Sequence, residues 1–124
     1  MHEVIRQHFI TLPWPPSTNS LWRHVGKRTL ISKKYREYKS LVLYHSLFWK
    51  INTIKGRISI EIKAFPPDNR KRDLDNLLKG TADSLQNSGL FLDDSQIDFL
   101  SIERMESKKP GMLEILIKEI SIDK

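Results

Sequence analysis

The chain contains no cysteine, which excludes disulfides, thiolate-bound zinc and cysteine nucleophiles together. Its five glycines are not closely paired, so no Gly-rich loop for cradling phosphate is present, and no serine-nucleophile motif occurs either. Four histidines, His2, His8, His24 and His45, stand at no metal-ligand spacing. No apolar run approaches the roughly 18 residues of a membrane span, and the N-terminal stretch does not read as a signal peptide. The expectation is a soluble cytoplasmic protein with no membrane partner. What is present is ordinary for a globular fold: 124 residues, 39% hydrophobic and 29% charged, room for a single domain over residues 1–124 with a modest core.

Charge is unevenly placed. Up to Ser40 there are eight basic residues (Arg6, Arg23, Lys27, Arg28, Lys33, Lys34, Arg36, Lys39) and two acids (Glu3, Glu37), so the whole formal excess of +6 lies there. The rest of the chain balances at 13 basic against 13 acidic residues. A one-sided basic segment suits a polyanion, although a solvated helix face has the same composition.

Periodicity supplies the element order. His8 to Leu12 alternates and stops at Pro13-Trp14-Pro15-Pro16, a strand with a stiff exit. Ser17 to Leu30 reads as an exposed, mobile loop. Ser32 fits an N-cap for a helix to about Ile51, with Tyr38, Leu41, Val42, His45, Phe48 and Trp49 on its buried stripe. Ile58, Ile60, Ile62 and Ala64 alternate with polar residues as a one-sided strand, and Leu74 to Asn87 has helical spacing, with Gly89 as its stop. Ile97–Met105 and Met112–Ile120 read as strands joined by a hairpin turn over Ser107–Gly111. The predicted fold class is α/β (α+β): one small domain of order β-α-β-α-β-β, a mixed sheet with two helices packed on it.

Acids gather in two places, Asp73-Leu74-Asp75 after the basic run Arg70-Lys71-Arg72, and Asp93-Asp94 beyond the second helix. Two residues apart in an ideal helix, Asp73 and Asp75 would diverge by roughly 200°. They converge only if Asp73 lies in an extended lead-in and Asp75 in the first turn. Helix capping explains such acids without any ligand. If Asp93 and Asp94 fold back onto them, however, four carboxylates need cations. Two hard divalent ions such as Mg²⁺ would balance them and could activate water at a phosphodiester.

At these residues the chain resembles the RusA family of Holliday junction resolvases. The resemblance rests on Arg72-Asp73-Leu74-Asp75-Asn76-Leu77 with Lys79, on Gly89 followed by Leu92-Asp93-Asp94, and on Leu12-Pro13-Trp14-Pro15-Pro16-Ser17 with Asn19. It implies a bacterial or phage homodimer that cuts four-way DNA junctions with Mg²⁺, or Mn²⁺ in its place. It also implies catalytic roles for Asp73, Asp75, Asp94 and Lys79, and metal ligation by Asp73, Asp75 and Asp94. Asp93 is read as a further metal ligand or an orienting acid beside them. Lys79 would stabilise charge on the phosphate or position water, the competing role being an i, i+4 ion pair with Asp75 or Asp83. Arg70, Lys71 and Arg72, with Arg23, Lys27 and Arg28, are the expected DNA contacts. Two other readings stay open at this point: a non-catalytic binder of branched DNA, and a metal-dependent nucleotide-processing enzyme.

Overall fold

A computed structural model describes the backbone of residues 2–16, 22–25, 28–31 and 33–122, and the side chains of 3–16 and 33–121. The elements are β1 (His2–Pro13), β2 (Trp22–Val25), β3 (Arg28–Ile31), α1 (Lys33–Ser46), β4 (Arg57–Phe65), α2 (Leu74–Asn87), β5 (Ile97–Arg104) and β6 (Met112–Ile122), with a 3-10 turn at Asp94–Gln96. β1, β6, β4 and β5 lie in that order in one sheet, where β4 and β5 are parallel and the other pairs antiparallel. The expected mixed sheet, two helices and element order are all found.

Alternation builds one buried face. Ile58, Ile60 and Ile62 of β4 meet Leu113, Ile115 and Ile117 of β6 and Ile10 and Leu12 of β1, all in the core. Helix α2 closes over them with Leu77 and Leu85, and α1 with Tyr35, Tyr38 and Val42. The helices touch where α2 has Gly80. The Tyr35 hydroxyl donates to the Gly80 carbonyl, and a Cβ there would come within 3.3 Å of that hydroxyl.

Three expectations need correction. The strands around Ser107–Gly111 do not form a hairpin, because β6 sits between β1 and β4 while β5 takes the edge. Burial decides this: Leu113, Ile115 and Ile117 are fully buried, which suits a strand paired on both sides. Residues 17–30 are not a plain loop, since β2 and β3 pair within the described part as a two-stranded ribbon. The signal was in the sequence, two short runs with Trp22, Val25, Thr29 and Ile31 around Gly26-Lys27. Finally, α1 ends at Ser46 rather than Ile51. Its bonding tightens to i−3 from Leu47 to Trp49, and Lys50 closes the turn at φ 54°. Tyr35, Tyr38 and Val42 are its buried row, while Leu41 and Phe48 face outward.

Candidate active site

The β4–α2–β5 unit frames an open groove of about 480 Å³ between α2 and the start of β5. Its walls carry Asp75, Lys79 and Asp83 from one row of α2, Asp94 from the 3-10 turn, and Asp98 and Phe99 from β5. The row follows from helical spacing, since residues four apart stack on one face. The groove therefore joins three of the four residues singled out for chemistry in the sequence: Asp75, Lys79 and Asp94.

Asp73 stands at the head of the groove in the extended lead-in, with φ −89° and ψ 116°. It is the N-cap of α2, and its carboxylate accepts from the Asp75 N–H at 2.9 Å. That is the arrangement the sequence required for the two acids to approach one another. The head is held from behind by Arg72. Its guanidinium pairs with Asp68 at 2.8 Å, donates to the Asp68 carbonyl at 3.1 Å, and lies 5.5 Å over the Trp14 ring. Arg104, at the end of β5, donates to the Arg72 carbonyl at 2.7 Å. The Arg70 N–H and then the Arg72 guanidinium hold the Asp68 carboxyl below its ordinary value.

The far end is built differently. Asp93 caps the 3-10 turn, accepting from Ser95 N–H at 3.0 Å, and Ser95 holds its carboxyl below the usual range. The buried Gln96 amide fixes this turn. Its oxygen accepts from Leu92 and Asp93 N–H at 2.7 and 2.9 Å, and its nitrogen donates to the Ile54 and Gly56 carbonyls at 2.9 and 2.8 Å. Asp94 projects from that turn and acts electrostatically on Asp83. Burial raises the Asp83 carboxyl and Asp94 adds to the rise, against Lys39 and Lys79. Asp98 is paired with Arg57.

Among the expected DNA contacts, Arg70 and Lys71 are exposed at the head of the groove, whereas Arg72 is largely enclosed by Asp68 and Trp14. Arg23 and Arg28 lie on β2 and β3, where the backbone alone is described, and Lys27 lies outside the described residues. Sequence reasoning missed Gln96, Arg104 and Asp68 as supports. Asp68 had a local signal, four residues before Arg72, and so did Gln96, three residues after the capping Asp93.

Hard carboxylate oxygens are the right donors for Mg²⁺ or Mn²⁺. Asp75 and Asp94 supply two such carboxylates to the groove lining. The geometry of one chain does not gather the set, for among the described residues no three acidic or imidazole groups stand close enough to hold one ion.

The family model for Endodeoxyribonuclease RusA matches residues 13–118. The crossover junction endodeoxyribonuclease rusA of Enterobacteria phage HK97 is 39% identical over 118 residues, 94% of this chain and 98% of that protein. That of Enterobacteria phage 82 is 38% identical over 122 residues, covering 91% and 95%. That of Escherichia coli (strain K12) is 38% identical over 113 residues, covering 90% and 93%.

Proposed function

This chain belongs to the RusA endodeoxyribonuclease family, and from that premise we propose that it resolves four-way DNA junctions by paired, Mg²⁺-dependent phosphodiester hydrolysis, acting as a homodimer. The observation that carries the reading is the groove whose lining brings together Asp75, Lys79 and Asp94. Bound divalent cations would supply an activated water and charge stabilisation at the phosphate. Asp73, Asp75, Asp93 and Asp94 are the residues that would hold them.

The chain's own groups divide the remaining work. Asp73 caps α2 and so orients Asp75 in the first turn. Lys79, one turn further along, brings a positive charge to where a phosphate lying in the groove gains negative charge. Arg70 and Lys71, exposed at the groove's head, meet the neighbouring backbone phosphates. A junction offers two symmetry-related strands, and a two-fold dimer offers two sites. No helix among the described residues is long and apolar enough to cross a membrane.

The test is a synthetic four-way junction with Mg²⁺. Wild type should give paired symmetric nicks, and Asp75→Asn should bind the junction without cutting it. Binding with no cutting by wild type would favour a non-catalytic binder, and turnover of free nucleotides would favour the nucleotide-processing reading.

A further inference from the structure

Helix α1 is apolar on two sides. Tyr35, Tyr38 and Val42 enter the core. The helix and the tightened turn that closes it also send Leu41, Leu43, Tyr44, Leu47 and Phe48 outward. Leu47, Phe48 and Tyr44 are 72%, 67% and 60% exposed. Three and four residues apart, these side chains form adjoining rows. Tyr44 lies edge-on to Phe48, with ring centres 5.4 Å apart. Segment 41–48 contains no aspartate, glutamate, lysine or arginine. A helix apolar all round is ordinarily covered on both sides, and an exposed patch of this kind marks an interaction site.

The first half of the helix is different. Lys33, Lys34, Arg36 and Lys39 stand against one acid, Glu37, a formal charge of +3. Lys33, Lys34 and Arg36 are exposed. Lys33 leads through Ser40 to Tyr44 at spacings of seven and four, so the basic and apolar halves share one outer face. From Lys33 to Leu43 is about 15 Å of helix, the reach of four to five extended residues. None of the five outward apolar residues lines the acid groove, so this surface is separate from that site.

Charge and shape together select the occupant. Nucleic acid would engage the lysines, but Leu41, Leu43 and Leu47 offer bases no aromatic face to stack on. A second copy across a two-fold axis would lay lysines on lysines or on leucines, enclosing ammonium groups without partners. A protein segment whose acidic side chains run into large apolar ones satisfies both halves. We propose that the outer face of α1 docks such a segment, its carboxylates at Lys33 and Lys34 and its apolar side chains over Leu43, Tyr44, Leu47 and Phe48. The surface stands on α1 alone and does not rest on the nuclease reading.

The probe is a library of random short peptides displayed on phage and panned against the immobilised full chain. Selected peptides should carry acidic residues followed by apolar ones. The strongest of them, synthesised with a fluorescent label, should bind wild type in an anisotropy titration. Leu47→Ser/Phe48→Ser should weaken that binding at least tenfold, as loss of two apolar anchors does. Leu43→Ser, in the neighbouring row, should repeat the loss. Lys33→Glu/Lys34→Glu should weaken binding by roughly tenfold, and most at low salt. Both apolar-face variants change exposed side chains, so they should melt with wild type and keep its rate of junction cutting. Selected peptides without the acidic-apolar pattern, or equal binding by Leu47→Ser/Phe48→Ser, would overturn the proposal. So would loss in that variant of wild-type affinity for junction DNA or for phosphatidylglycerol vesicles, or a smaller sedimenting species than wild type. Each of those results assigns the face to another occupant.

Discussion

The two ends of α2 each present aspartates, yet they treat charge in opposite ways. At the head, Asp68 is neutralised by Arg72, with Arg70 also beside it, and its carboxyl is held low. At the far end, burial pushes Asp83 up, and its cationic neighbours Lys39 and Lys79 only offset that. The head spends arginine on rigidity, so Asp73 and Asp75 stand on a braced turn. The far end uses a neutral amide, Gln96, to hold the turn from which Asp94 enters the groove. An ion that satisfied both ends would relieve repulsion only where the fold has left it.

The largest effects should come from the carboxylates themselves. Asp75→Asn and Asp94→Asn should each slow junction cutting by on the order of 10²–10³-fold, the scale of losing one electrostatic stabiliser. Gel-shift affinity should change little. An Asp94→Asn variant that cuts normally would separate the two ends functionally and break the comparison.

Supports come next. Gln96→Leu removes four hydrogen bonds from a buried amide and should cost about 2–3 kcal/mol in denaturant unfolding. Arg72→Ala loses a partly exposed ion pair and the packing on Trp14, and should cost about 1–2 kcal/mol. The far end is thus expected to be the more fragile to a single change.

The pH responses should differ in sign. Asp68 has a lowered carboxyl, so its contribution is present above the ordinary aspartate range and is lost as pH falls through the folded value. Asp83 has a raised carboxyl, so its contribution is complete below the ordinary value and lost as pH rises through the folded one. Melting curves from pH 3 to 7 should show Asp68→Asn losing most at neutral pH. Asp83→Asn should lose nothing there and melt at or above wild type.

The smallest structural effect is expected at the exposed basic residues. Arg70→Ala and Lys71→Ala should leave melting unchanged, while each lowers the salt dependence of junction binding by about one unit of slope.

Much of this was legible in the residues. The boundaries of α2 emerged from leucine spacing with Gly89 beyond, and the Asp73 lead-in from the geometry two acids need in order to converge. β4 was legible because one face is buried and the other polar. The position of β6 was not, because strand order depends on which strand can be buried on both sides, a property of the whole sheet. Nor was the reach of Gln96 to Ile54 and Gly56, which lie some forty residues earlier. The separation of Asp75 from Asp94 was hidden for the same reason. Sequence spacing shows that two acids flank a helix, and only the parallel return of β5 shows that they flank opposite ends of it.

Calorimetric titration of Mn²⁺ into wild type, Asp75→Asn and Asp94→Asn tests most directly whether both ends serve one cation site. The account predicts saturable binding to wild type and its loss, by at least tenfold in affinity, in each variant. Undiminished binding in Asp94→Asn would contradict it.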